Sequence, residues 1–354
     1  MLNFIYYPIS GILWFWRKVL SLFMDPNSGV TWLLAIILMT WTIKALLVKP
    51  MVDQMRMSRR MQEIQPKMQA IRDKYKNDKA KQAEETQKLY KEMGFNPMAG
   101  CIPMLVQIPV FIGLFHVLRS FNRTGTHAGG LGMSVEENRN TANYFFPVAD
   151  VQSFLDARVF GAPLSASINM RREAYDAFQP VDFTRTDIMW VAVPMIIAVT
   201  LMTHFNARYT LDHQKARVAA GKVQQPTGEN AAMMQAQQDM MGKMMLWVMP
   251  AFTILTGYAW SIGLLVYMTS NVLWTFVQTR LVFKKMDQEE EAELAARKEA
   301  QAASAPAPGA RKLDKKSKGQ RAKENIAAEE EKRAQQIKER KAAEKARSQE
   351  KKKK

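Results

Sequence analysis

The stretch that decides the fold is VTWLLAIILMTWTIKALLVK, residues 30–49. A helix rises about 1.5 Å per residue and the hydrocarbon core of a bilayer is about 30 Å thick, so this length predicts a membrane span. Lys44 is the one charged residue before Lys49. A charge at membrane depth costs about 2.5–3.5 kcal/mol on insertion scales and usually marks a functional cavity. The alternative is snorkelling, because the headgroup region near Lys49 is only ~7 Å away along the helix.

The composition of the whole chain is strongly segregated. The chain has 354 residues and a formal net charge of +17, but residues 30–283 hold several apolar runs of spanning length. Residues 284–354 hold 22 Lys/Arg and 14 Asp/Glu. The first part predicts a polytopic helical membrane domain, and the second a basic, largely disordered tail.

Cysteine and histidine usage predicts no disulfide framework, metal site or cofactor. The chain has a single cysteine, Cys101, and its histidines are dispersed. No nucleotide-binding Gly-rich loop, nucleophile–base pair or catalytic residue is evident, so the sequence does not indicate an enzyme. The histidines are His116, His127, His204 and His213.

Five spans are predicted, which makes the fold class an all-α polytopic membrane protein. Prolines interrupt several of them, as bundled membrane helices tolerate. The spans are about 30–49, 98–119, 188–205, 244–260 and 262–283.

The charges of the connections predict the orientation in the membrane. Residues 50–97 carry 11 Lys/Arg against 7 Asp/Glu, and residues 206–243 carry 5 against 3. Residues 120–187 carry 6 Lys/Arg against 8 Asp/Glu. By the positive-inside rule, 50–97, 206–243 and the tail are cytoplasmic, whereas 120–187 and the N-terminus are outside. The predicted location is the cell (plasma) membrane.

The connections have predicted structure of their own. Residues 1–29 predict an interfacial amphipathic segment, since an aromatic-rich apolar run is followed by the basic pair Arg17–Lys18. Residues 50–97 have apolar side chains at helical spacing and a break near Asn77, which predicts a helical hairpin. The external connection 120–187 is expected to hold a short helix near Val151–Val159.

The tail is predicted to attract polyanions. It ends in Lys351, Lys352, Lys353 and Lys354. Ribosomal RNA and anionic inner-leaflet lipids are both suitable partners. A solvated tail without a specific partner is the third possibility.

Three stretches of the chain carry a recognisable pattern. They are Met61–Lys67 with Lys74–Lys76, then Leu89–Glu92 with Asn96–Phe111, and finally Gly263–Tyr267 with Ser270, Asn271 and Gln278. Together they resemble the YidC/Oxa/Albino family of membrane protein insertases, over about residues 30–283. The compact core with a long basic tail is most similar to actinobacterial members of that family.

The resemblance implies an insertase with a hydrophilic groove open to the cytoplasm and to lipid. The family has an arginine at the position of Lys44. The positive charge therefore remains, but the planar guanidinium group that can donate two parallel hydrogen bonds is lost. Gln65 and Pro66 belong to the implied cytoplasmic hairpin. The groove and client contacts implied are Thr40, Lys44, Gln107, Thr200, Thr203, Tyr267, Met268 and Asn271.

The implied partners are nascent membrane proteins, membrane lipids, the ribosome through the tail, and the Sec translocon. The polar residues of the spans have a simpler interpretation as interhelical hydrogen-bond partners. A small-solute transporter or channel with a lysine-lined cavity is the alternative function, although five spans show no evident repeat symmetry.

Overall fold

The computed structural model describes residues 3–94, 102–124, 132–223 and 231–303. Two compact units are present, Met1–Asp287 and Gln288–Lys354. The second is described only for its helical residues 288–303. The helices are α1 (Asn3–Leu20), α2 (Gly29–Leu46), α3 (Val48–Lys74), α4 (Lys79–Glu92), α5 (Ile102–Arg119), α6 (Val135–Arg139), α7 (Val148–Asp156), α8 (Arg185–Ala219), α9 (Ala231–Lys243), α10 (Met249–Gly257) and α11 (Ile262–Ala303).

Three helical segments among the described residues are long and apolar enough to cross a membrane: Gly29–Leu46, Arg185–Ala219 and Gln235–Gly257. The third runs through α9, a π-helical turn at Met244–Val248 and α10. A shorter apolar helix covers Gln107–Arg119. The all-α polytopic fold class is therefore confirmed, while the exact number of five spans stays a prediction.

Large apolar side chains on α8 and α10 face outward from the protein. Trp190 is 75% exposed and Leu255 is 70% exposed. Exposed apolar surfaces of this kind are stable in contact with lipid, whereas in water they would favour aggregation. The outward faces of these helices therefore fit a bilayer environment.

The buried core lies where α2 meets α5 and α7. Trp32 of α2 packs edge-on against Phe154 of α7, with ring centroids 4.9 Å apart. Phe121, just beyond α5, stacks on the same Phe154 at 4.0 Å. Helix α1 packs against both α2 and α5. These contacts fix one end of α2 and one end of α5. The functional side chains Lys44 and Gln107 project from these two helices.

The predicted helical pair of residues 50–97 is present as α3 and α4. Asp78 caps α4 by accepting a hydrogen bond from the Lys81 N–H at 2.9 Å. Ile64 of α3 and Leu89 of α4 are buried against each other in a small apolar cluster. The pair thus has its own core, in which the methionines and isoleucines of α3 take part.

The connection 120–187 is more structured than the sequence predicts. It holds α6 as well as α7, and α7 ends at Asp156 rather than near Val159, because Ala157 adopts an extended backbone conformation. Val159 lies instead in strand β1 (Arg158–Val159), which pairs antiparallel with β2 (Ala162–Pro163). A 3₁₀ helix follows at Arg172–Ala177.

Helix α8 continues well beyond the predicted span 188–205. A capping box formed by Thr184 and Asp187 starts it, and no glycine or proline interrupts residues 195–220. The connection 206–243 is therefore largely helical, in α8 and α9. Cys101, His127, the Asn96–Pro97 step and the tail beyond residue 303 lie outside the described residues.

Candidate functional site

Lys44 is buried and lies against the last long helix. Its side chain belongs to a residue only 7% exposed. The Nζ atom donates a hydrogen bond to Oγ1 of Thr275 in α11, at 3.4 Å. Among the described residues, Lys44 forms no ion pair. The buried ammonium therefore has a neutral hydroxyl as its partner, and no carboxylate of the described residues neutralises its charge.

A cavity of about 470 Å³, the Gln107 cavity, lies between α3, α5 and α11. On one wall, Nε2 of Gln107 donates a hydrogen bond to the hydroxyl of Tyr267, at 3.2 Å. Asn271 is one turn along α11, and its buried Oδ1 has no hydrogen-bond partner among the described residues. The lining residues are Met51, Gln54, Gln107, Ile108, Phe111, Tyr267, Met268 and Asn271. Polar groups thus face apolar ones across one cavity.

A second cavity, the His213 cavity, has a volume of about 310 Å³ and lies between α3, α8 and α11. Most of its lining residues are polar, such as Ser58, Asn206 and Thr210. Thr275, the partner of Lys44, is part of its wall. Gln54 lines both this cavity and the Gln107 cavity. Polar side chains therefore continue from Lys44 through both cavities.

The carboxylate of Asp287 holds three elements together at the His213 cavity. Arg59 of α3 donates to Oδ1 at 2.9 Å, and Nε2 of His213 lies 2.8 Å from Oδ2. The guanidinium of Arg217 approaches the same carboxylate at 3.8 Å. The His213 ring also stacks on Phe283, with centroids 4.5 Å apart. Asp287 thus joins α3 and α8 to α11 through three residues of the cavity lining, Arg59, His213 and Arg217.

The structure brings some of the residues implied by the family resemblance together and leaves others apart. The Gln107 cavity brings together Gln107, Tyr267, Met268 and Asn271. Lys44 donates a hydrogen bond to Thr275, which is part of the wall of the His213 cavity. Thr40 is 1% exposed and donates to the Ile36 carbonyl of its own helix, at 2.7 Å.

Thr200 and Thr203 line neither cavity; Asn206, one turn farther along α8, does. The Oγ1 of Thr200 is buried without a hydrogen-bond partner among the described residues. Gln65 accepts a hydrogen bond from Nε2 of Gln238 at 3.5 Å, and Pro66 lies within α3. Lys351, Lys352, Lys353 and Lys354 lie outside the described residues.

Sequence reasoning missed the partners that complete the site. Thr275 is 231 positions from Lys44, and Asp287 is 74 positions from His213, so no local motif unites these partners. One usable signal was present: the absence of glycine and proline from residues 195–220 predicts that α8 carries His213 beyond the span.

The fold and the site define a polytopic helical membrane protein with a buried cation beside polar cavities. The model of the 60Kd inner membrane protein family matches residues 23–290, and the chain belongs to this YidC/Oxa/Albino family. The resemblance seen in the sequence is thereby confirmed.

Curated relatives extend the likeness over most of the chain. The chain is 43% identical over 310 residues to the membrane protein insertase YidC of Mycobacterium tuberculosis, covering 88% of this chain and 80% of that one. The Mycobacterium leprae protein of the same name is 41% identical, with 88% and 77% covered. The one from Streptomyces avermitilis is 29% identical, with 80% and 58% covered. The similarity to actinobacterial members of the family is borne out.

Proposed function

We propose that this protein is a membrane protein insertase that helps nascent integral membrane proteins enter and fold in the cell membrane. The observation that carries the proposal is the buried Lys44, whose partner Thr275 lines a polar cavity that continues through Gln54 into the Gln107 cavity. Relatives named membrane protein insertases cover most of the chain. The proposed groove is the continuous surface of these two cavities.

The contacts between elements support the proposed orientation. Arg17 of α1 forms an ion pair with Asp150 of the connection 120–187, so both belong to one side of the membrane. At the opposite side of the membrane, Gln65 contacts Gln238 and Arg59 contacts Asp287. These contacts support a common side for α3, the connection 206–243 and the part of α11 around Asp287. The positive-inside rule assigns this second group to the cytoplasm and the first to the outside.

In the proposed mechanism, Lys44 acts as a point charge that attracts acidic segments of a client. A lysine lacks the bidentate geometry of arginine, so attraction rather than two-pronged binding is expected. Polar walls that keep water within the inner half of the bilayer shorten the apolar path that a hydrophilic segment must cross.

Tyr267 and Met268 offer an apolar contact for the client helix, and methionine adapts to varied partners. Transfer of the client's apolar surface into lipid drives the process, helped by the membrane potential acting on its charges. No nucleotide hydrolysis is required.

The tail is the proposed contact with the ribosome. Its net positive charge suits rRNA phosphates, and such contacts weaken as salt rises. Cooperation with the Sec translocon is part of the same proposal, as is contact with membrane lipids.

The proposal is tested by expressing the protein in cells depleted of their own insertase. Restored insertion of a small membrane protein with an acidic tail is the expected result. Failure to restore it, at an expression level matched to a functional relative, contradicts the proposal. Crosslinks from position 44 to a stalled nascent chain would locate the path of the client.

A further inference from the structure

A third cavity, the Arg119 cavity, lies at the end of α5 remote from Gln107. Its volume is about 420 Å³. Arg119 is the last residue of α5 and lies ~18 Å along the helix from Gln107. The opposite wall comes from the segment around Ser165 and from the turn between α10 and α11, at Ala259 and Ser261. The cavity is thus separate from the proposed groove.

The lining of the Arg119 cavity is cationic. Arg119 and Arg171 both contribute to it, and its described lining residues include no aspartate or glutamate. Among the described residues, neither arginine forms an ion pair. The guanidinium of Arg119 lies over the Phe115 ring, 5.7 Å from its centroid, which orients it without neutralising it.

A buried hydroxyl in the same lining points to a ligand. Ser165 is 8% exposed, and its Oγ has no hydrogen-bond partner among the described residues. A buried polar atom without a partner costs free energy, and native structures rarely retain one without a reason. A ligand oxygen in the cavity would accept a hydrogen bond from this hydroxyl.

The wall that carries Ser165 is held rigidly. The N–H of Ile262 donates to the Ala166 carbonyl at 2.9 Å, and the N–H of Gly263 donates to the Leu164 carbonyl at 2.8 Å. A Cβ at Gly263 would approach that carbonyl oxygen to 3.4 Å, so the two segments lie close together. A wall fixed in this way keeps the backbone that carries Ser165 preorganised.

The remaining walls suit a lipid. Phe115, Leu118 and Leu264 place apolar surface beside the cationic groups. The cavity lies at the ends of apolar helices of a multi-pass membrane protein, where headgroups are found. A water molecule takes about 30 Å³ of liquid, so there is room for a phosphate and its glycerol.

We propose that the Arg119 cavity binds the phosphate group of an anionic phospholipid, with Arg119 and Arg171 as cationic contacts and Ser165 as a hydroxyl donor. Arginine is suited to phosphate because its planar fork donates two parallel hydrogen bonds. This inference concerns a different cavity from the proposed groove and does not depend on the insertase function.

The test is native mass spectrometry of the full-length protein with added phosphatidylglycerol or phosphatidylcholine. The wild type is expected to retain phosphatidylglycerol preferentially. Arg119→Gln and Arg171→Gln are each expected to weaken that retention about tenfold, the effect of removing one charge-assisted hydrogen bond. Arg172→Gln is the matched control, because Arg172 is exposed like Arg171 but is not part of the lining, and it is expected to change nothing.

Ser165→Ala separates a ligand role from a structural one. Its hydroxyl has no protein partner among the described residues, so the melting temperature is expected to stay at or above that of the wild type while phosphatidylglycerol retention falls about threefold. Unchanged retention in a folded Arg119→Gln/Arg171→Gln double variant would overturn the proposal.

Two further experiments distinguish a phospholipid from the other anions that could occupy the Arg119 cavity. Inorganic phosphate at millimolar concentration is expected not to displace phosphatidylglycerol. If it does so in the wild type, the site binds free phosphate and the lipid proposal is wrong. The proposal also fails if an acidic peptide crosslinks at position 171 and phosphatidylglycerol does not compete with it.

Discussion

The ammonium group of Lys44 lies 3.4 Å from the hydroxyl of Thr275, which joins α2 to α11 across 231 positions of the chain. Thr275 in turn donates to the Asn271 carbonyl of its own helix at 2.9 Å, so its hydroxyl is held in place to accept from Lys44. The charge is therefore fixed at the edge of the His213 cavity, where Thr275 is part of the wall.

The charge of Lys44, rather than its shape, is expected to matter for client insertion. Lys44→Arg keeps the positive charge and should retain activity, whereas Lys44→Glu should impair clients with acidic tails through like-charge repulsion. Insertion of paired clients with acidic and neutral tails measures the effect. Equal activity of the two variants toward acidic tails would contradict electrostatic recruitment.

Tyr267 is expected to contribute mainly through its ring. Tyr267→Phe removes the acceptor of the Gln107 hydrogen bond and should lower the unfolding free energy by about 0.5–1.5 kcal/mol, with insertion largely kept. Tyr267→Ala also removes the ring from the cavity and should reduce client crosslinking from position 268. Thermal unfolding in detergent and crosslinking yields test the two variants separately. Similar crosslinking in both would rule out the ring as a client contact.

The buried ion pair of Arg17 and Asp150 is expected to be costly to break. The two groups are 2.5 Å apart, both side chains are 5% exposed, and the Arg17 guanidinium also lies 4.7 Å from the centre of the Trp32 ring. Asp150→Ala leaves the arginine charge buried and should destabilise the protein by about 3–5 kcal/mol.

The control for this pair is the double variant Arg17→Met/Asp150→Leu. Replacing both charges by apolar groups of similar size should restore much of the stability that Asp150→Ala removes. Thermal unfolding of both variants in detergent gives the comparison. A double variant as unstable as Asp150→Ala would show that the ion pair is not the source of the effect.

Asp287 is expected to stabilise the junction of α3, α8 and α11. Asp287→Ala removes the shared partner of Arg59 and His213 and should cost about 1–2 kcal/mol, since the carboxylate is partly exposed. Asp212→Ala is the matched control, because the Arg208–Asp212 pair is mostly exposed and should contribute at most ~0.5 kcal/mol. Chemical denaturation in detergent measures the difference, and equal destabilisation by the two substitutions would exclude a special role for Asp287.

Removal of residues 311–354 is expected to weaken salt-sensitive binding to ribosomes. The segment contains most of the basic residues of the tail, and the affinity becomes less dependent on salt as fewer lysines and arginines bind phosphates. Co-sedimentation with ribosomes at several salt concentrations measures both the affinity and its salt dependence. Unchanged co-sedimentation of the truncated protein would contradict ribosome binding by the tail and leave anionic lipids as its candidate partner.

Several features of the fold follow from the sequence because they depend on local patterns. The apolar stretch around Lys44 predicts α2, and the apolar spacing of residues 57–71 predicts α3. The confirmed fold class and family rest on such patterns and motifs. The end of α7 and the pairing of β1 with β2 were not predicted, because two-residue strands bear no periodic signal.

By itself, the sequence determined that this chain forms apolar helices, that one of them carries a lysine, and that its motifs are those of a membrane insertase family. Apolar length and charge distribution act locally and can be counted along the chain. The tertiary structure alone decided that Thr275 faces Lys44, that Asp150 neutralises Arg17 and that Arg119 shares a cavity with Ser165. These relationships depend on how helices that are distant in sequence pack against each other. No local sequence pattern around a side chain indicates which residue it contacts across such an interface.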